Sequence, residues 1–182
     1  MPGRLADVGG ALAGVVIAVL VGWSMVQAGS WANEETLSRQ GIEVNPRSYM
    51  LRSNLSTWLA MRADRERQPA LRNEALRLAR EAVELRPDSP KLMEKLAELL
   101  IRRGEVDEAI VWLRRAVEAS GRHVAGKRDQ IAAAHRMLGA VLMQRGRYAE
   151  AAEEYRRALA IDPHNLALQQ ELAEVEKRRS SE

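Results

Sequence analysis

The sequence predicts an all-α chain: an N-terminal transmembrane helix, a right-handed helical solenoid of about three repeats, and a C-terminal capping helix. Three observations lead there. Hydrophobic residues make up 46% of the 182 residues, aromatics only 4%, and Phe is absent. The core must therefore be built from Leu, Ala, Val, Ile and Met, of which Leu and Ala favour helix. No charge interrupts the chain from Val8 to Asn33. Finally, Pro90–His123 and Ala132–Asn165 repeat one pattern of small and large apolar positions, the mark of stacked helical pairs.

On this reading the chain divides into a tail at 1–7, the apolar segment at 8–30 and a juxtamembrane linker at 31–48. The repeat domain follows at 49–165, with units at 49–89, 90–123 and 132–165, and a capping helix and tail occupy 166–182.

In the apolar segment the centre runs from Ala11 to Val21 without a polar side chain. About 20 helical residues cross a hydrocarbon core, so the stretch is long enough, and Trp23 and Trp31 lie toward the end where indoles favour the interface. A cleavable signal peptide is the competing reading, because Val26-Gln27-Ala28 has the small-residue spacing of a cleavage site. The length of the apolar run and a leading region carrying only Arg4 and the amino terminus, offset by Asp7, favour the anchor. Gly10, Gly14, Ala18 and Gly22 recur every four residues and would form a smooth stripe for another membrane helix. The signal-like start places the repeat domain on the extracytoplasmic (periplasmic) side of a single-pass membrane protein.

Ala132–Asn165 shows the repeat most fully. Leu138-Gly139 and Leu142 lie in a first helix, Gly146 and Tyr148 mark a turn, and Ala151, Tyr155 and Ala158 line a second helix before Pro163. In Pro90–His123 the same positions hold Leu96-Ala97, Leu100, Gly104, Val106, Ala109, Leu113 and Ala116. A looser copy spans about Tyr49–Ser89, with Leu55-Ser56 and Leu59, then Ala75, Ala79, Ala82 and Pro87; extra residues around Asp64–Pro69 separate its helices, and Val124–Ile131 separates the other two copies. Leu166–Arg179 reads as the solvated cap such stacks require, with Leu168, Leu172 and Val175 inward.

This pattern resembles the tetratricopeptide repeat, with His135 where the first signature position is usually aromatic. The run from Trp31 through Asn45-Pro46 to Asn54-Leu55 also resembles the junction of multi-spanning membrane glycosyltransferases that lead into such repeats. That likeness implies domain placement, not glycosyl transfer.

The resemblance implies a concave surface lined by first helices that receives a partner's peptide or helix. Carried onto this sequence, its positions are Met50, Ser53, Thr57 and Met61, then Lys91, Glu94, Glu98 and Arg102, then Arg136, Ala140, Met143 and Gln144. An ordinary solvated inner face remains the alternative for so mixed a lining. Trp58 and Trp112, beside signature leucines, are either partial core residues, the more frequent case, or interface anchors.

Charge and chemistry narrow the function. Net charge is +3 with a pI near 9.6, but the charges alternate in sign, and no basic run interleaved with aromatics suggests nucleic acid. The absence of Cys excludes thiol catalysis, disulfides and Cys-ligated zinc. His123, His135 and His164 lack metal-ligand spacing, and no nucleophile or phosphate-loop motif occurs. No catalytic residue, metal or cofactor is expected, and the chain reads as no enzyme. The expected role is a membrane-anchored scaffold or assembly factor, its partners other proteins of a membrane complex and the bilayer through 8–30. The alternatives are a structural accessory subunit held by its membrane helix, or a non-catalytic auxiliary domain of a glycosyltransferase-like system.

Overall fold

The computed structural model describes residues 34–122 and 128–181, and all regular structure among them is α-helical. The eight helices are α1 (Glu34–Val44), α2 (Tyr49–Glu66), α3 (Pro69–Leu85), α4 (Pro90–Arg103), α5 (Val106–Arg122), α6 (Arg128–Gln144), α7 (Tyr148–Ile161) and α8 (Leu166–Arg179). The chain divides into two units, 1–46 and 47–182. In the first, α1 opens with Glu34 and Glu35 in its first turn, where carboxylates complement the positive end of the helix dipole. Arg39 bonds back to Glu35 one turn earlier at 2.9 Å.

The second unit is three helix pairs, α2 with α3, α4 with α5 and α6 with α7, each stacked on the next, with α8 laid against α7. Local chemistry sets the boundaries. Ser48 and Asn165 cap α2 and α8 by accepting from the amides of Leu51 and Leu168, which satisfies donors with no helical partner. Pro69 and Pro90 open α3 and α4 at a position where the missing N–H is not needed. Gly104 and Gly146 stop α4 and α6 at φ of 88° and 72°. In each case two amides fold back onto the last turn: Gly104 to Ile101 and Glu105 to Leu100, Gly146 to Met143 and Arg147 to Leu142. A side chain at either glycine would be strained in that left-handed conformation.

The extra residues between the first pair's helices extend α2 to 18 residues, against 14 in α4. Arg67, at φ 53°, then turns the chain into Gln68 and Pro69.

Small and large residues alternate in the core as close helix packing demands. Ala63, Ala75, Ala97, Ala109, Ala116, Ala151 and Ala158 are fully covered, and Leu55, Leu59, Leu96, Leu100, Leu113 and Leu142 fill the spaces between. Truncating such a leucine to alanine costs about 2–5 kcal/mol in a packed interior. At the far end, Leu168 and Val175 of α8 are buried, whereas Leu172 is only half-buried.

The membrane expectation is corrected. No helix among the described residues is long and apolar enough to cross a membrane. The longest, α2, carries Arg52, Arg62, Asp64, Arg65 and Glu66, and charges at a bilayer's centre cost about 2.5–3.5 kcal/mol each. The segment 8–30, and with it Gly10, Gly14, Ala18 and Gly22, lies outside the described residues. Among the described residues the architecture is thus all-α, with seven helices of the second unit forming the repeat stack and no helix long and apolar enough to cross a membrane. The single-pass, extracytoplasmic location and the bilayer contact expected through 8–30 are withdrawn with it.

Candidate protein-interaction surface

Helices α2, α4 and α6 are the first helices of the three pairs, and the side chains expected to receive a partner fall on them. The structure brings part of that set together between α2 and α4. Arg102 donates to Asp64 of α2 and to Glu98 one turn back on its own helix, both at 2.7 Å. Asp64 also accepts from Arg72 of α3 at 2.9 Å. That bond, ahead of the pull from Arg102, holds the Asp64 carboxyl below its ordinary value. One turn away Lys95 donates to the Thr57 hydroxyl at 3.3 Å, and that hydroxyl donates to the Ser53 carbonyl at 2.9 Å. Thr57, Lys95, Glu98 and Arg102 border a small recess of about 60 Å³, floored by Ala60 and Leu99 with Met61 at its edge.

The residues expected there separate into distinct groups. Thr57, Met61, Glu98 and Arg102 meet at this recess, and Met61 is 57% exposed. Ser53 is buried at 6% exposure and is out of a partner's reach; it lies on the inward stripe of α2 with Ser56 and Ala60. Met50 and Lys91 are exposed, but neither lines the recess. Glu94 is half-buried, and burial raises its carboxyl above the ordinary value against the opposing charge of Lys91. In the third pair, Arg136 is engaged by Glu171 of α8 at 2.5–3.1 Å, Ala140 and Gln144 are exposed, and Met143 is half-buried.

Asp64, Lys95 and Glu171 were missing from the expected set. Their signal is opposite charge, or a donor and an acceptor, about one repeat apart. Asp64 and Arg102 are 38 residues apart and Arg136 and Glu171 are 35 apart. The second-helix side has the same device: one guanidinium nitrogen (Nη2) of Arg80 of α3 donates to both carboxylate oxygens of Glu108 of α5, and Arg114 of α5 reaches Glu150 of α7 at 2.7 Å.

Both tryptophans left open by the sequence are half-buried, each with an arginine over its ring: Arg62 at 5.3 Å from Trp58, and Arg115 at 4.8 Å from Trp112. Among the described residues no group of three or more His, Asp or Glu could hold a metal ion.

Residues 88–164, covering α4 to α7, match the family model for the tetratricopeptide repeat. Over that segment the chain is similar to tetratricopeptide repeats. It is similar to anaphase-promoting complex subunit 7 of Mus musculus, 32% identical over 112 residues, which are 62% of this chain and 18% of that protein. It is also similar to small glutamine-rich tetratricopeptide repeat-containing protein 2 of Mycosarcoma maydis, 33% identical over 100 residues, 55% of this chain and 26% of that protein. The chain thus spans about a quarter or less of these relatives. A crystal structure of the MamA protein shares the fold at a TM-score of 0.65 and 19% identity, over 91% of this chain and 82% of that one. These comparisons give no support to the junction's likeness to membrane glycosyltransferases.

Proposed function

We propose that this tetratricopeptide-repeat chain is a non-catalytic scaffold that holds a segment of a partner protein against the first-helix surface at α2 and α4. The observation that carries the reading is Arg102. It is exposed, its guanidinium is held in place by Asp64 and Glu98, and it stands at the edge of a recess beside Thr57 and the exposed, adaptable Met61. Such a surface offers a polar anchor and an apolar contact side by side. One relative is by name a subunit of a complex, which accords with a holding role. The expected partner-binding set narrows to Thr57, Met61, Glu98 and Arg102, joined by Asp64 and Lys95; Met50, Lys91, Glu94, Arg136, Ala140, Met143 and Gln144 extend the same face.

The test is affinity purification of the tagged full chain from its native source, with co-purifying proteins quantified for wild type, Arg102→Ala and Met61→Ala. A partner recovered with wild type and depleted by both variants fits the reading. A partner set unchanged by both sinks it.

A further inference from the structure

We infer that the chain has a second docking site, on the second-helix side between α3 and α5, which takes an aliphatic side chain of a partner peptide flanked by Lys or Arg. It is separate from the α2–α4 recess and does not depend on that surface's role. The site is a cleft of about 490 Å³, within the usual range of about 300–1,000 Å³ for ligand pockets. Its apolar wall is Val83, Pro87, Met93 and Trp112. Val83 and Met93 are 4% and 5% exposed, so the packed core forms the base of the cleft.

Trp112 is fixed in advance. Its indole N–H donates to Glu108 at 3.3 Å, and the Arg115 guanidinium lies over its ring. Glu108 in turn is gripped by both contacts of Arg80, at 2.9 and 3.0 Å. A half-buried Trp held on two sides presents apolar area with little entropy left to lose on binding, the character of an interface hot spot.

Charge selects the occupant. Arg80 is engaged by Glu108, and Arg115 is stacked on Trp112. Glu84 and Glu118 line the same cleft, both exposed and without an ion-pair partner among the described residues. Counting its lining, the cleft has carboxylates Glu84, Glu108 and Glu118 against guanidiniums Arg80 and Arg115. The surplus is negative, and a basic flank on the incoming segment complements it.

The experiment pans a library of short random peptides on the immobilised full chain. Enriched peptides are then measured by fluorescence anisotropy against wild type, Trp112→Ala, Arg102→Ala and the exposed-surface double variant Glu84→Lys/Glu118→Lys. Enriched peptides should pair an aliphatic residue with a nearby Lys or Arg. Trp112→Ala should weaken them about tenfold or more, and Arg102→Ala should leave them unchanged. The charge-reversed variant should reject them and accept versions with Glu in place of the basic residue. Because both glutamates are exposed, that variant keeps the test decisive should Trp112→Ala fail to fold, which circular dichroism reports. The proposal is overturned by absence of enrichment, by acidic consensus peptides, by indifference to both cleft variants, or by dependence on Arg102. Self-association of the wild type in sedimentation that is lost in the cleft variants would assign the cleft to a second copy and also overturn it.

Discussion

His135 of α6 and Glu154 of α7 form a buried polar bridge within the third repeat. The imidazole donates from Nδ1 to the carboxylate at 2.7 Å, and both side chains are about one-tenth exposed. The other carboxylate oxygen accepts from Arg157 at 3.0 Å, so Glu154 is satisfied on both sides. At the position where the repeat usually carries an aromatic ring, this chain keeps a ring and adds a bond to the facing helix. Removing one partner leaves a covered polar group short of a bond, so Glu154→Ala or His135→Ala should each cost about 1–3 kcal/mol. His135→Phe combined with Glu154→Met replaces both partners by apolar groups and should cost less than the single variants His135→Phe and Glu154→Met added together. Chemical denaturation of the four-member cycle checks this; additivity within about 0.3 kcal/mol would leave the pair uncoupled.

Gly139 lies under the ring of Tyr155, and a Cβ there would sit 3.2–3.3 Å from three ring carbons. Tyr155 is 1% exposed, and in a close-packed interior its ring can give way only by displacing its neighbours. Overpacking costs about 1–3 kcal/mol, whereas alanine gains about 1 kcal/mol in helix propensity over glycine. Gly139→Ala should therefore destabilise by roughly 1 kcal/mol. The second repeat holds Ala97 and Leu113 at the matching positions, both buried. Gly139→Ala/Tyr155→Leu, which copies that choice, should unfold at a higher denaturant concentration than Gly139→Ala/Tyr155→Met, in which the longer unbranched side chain lacks that precedent. A single Gly139→Ala variant as stable as wild type contradicts the close-packing account.

These two contacts show what was legible from the chain and what was not. Gly139, Ala151 and Tyr155 announce themselves through a repeated spacing, because helix pairs can approach only where one partner is small. Gly104 and Gly146 mark the turns for an equally local reason. The role of Glu154 was hidden. It sits in a Glu153-Glu154 run that reads as solvated surface, yet a one-residue step turns Glu154 inward while Glu153 stays exposed. The recess at α2 and α4 was half legible: Thr57, Met61, Glu98 and Arg102 follow from repeat position, but the extra turn in α2 moves Asp64 out of the standard register. Ser53 is buried because the core claims its stripe of α2, which repeat register alone does not show.

Tyr155 also makes stability depend on pH at the alkaline end. Burial first, then the charge of Glu171, pushes its hydroxyl up to about 12 against the opposing pull of Arg136. In the unfolded chain it ionises near pH 10. Between these values the unfolded state sheds a proton that the folded state keeps, so stability falls as pH rises. The contribution is complete below about pH 10 and gone above about pH 12, a loss of about 2–3 kcal/mol. Tyr155→Phe lacks the titrating group and should lose correspondingly less over that window. Parallel denaturation curves for wild type and variant across the range test this; an equal decline in both rules it out.

At the α2–α4 bridge the proposed binding role can be told apart from stability. Arg102, Asp64 and Glu98 are each two-fifths or more exposed, and ion pairs in such settings contribute about 0–1 kcal/mol because water already solvates both charges. Arg102→Ala should accordingly shift the unfolding free energy by less than about 1 kcal/mol, while removing an oriented guanidinium from the surface proposed to receive a partner. Arg102→Lys keeps the charge but not the fork that holds Asp64 and Glu98 at once, and it should recover stability more fully than partner recovery. Denaturation midpoints set beside co-purification yields for the three proteins decide the matter. If partner recovery tracks the midpoint across the series, Arg102 acts through the fold alone; if recovery collapses at a nearly constant midpoint, it acts at the surface.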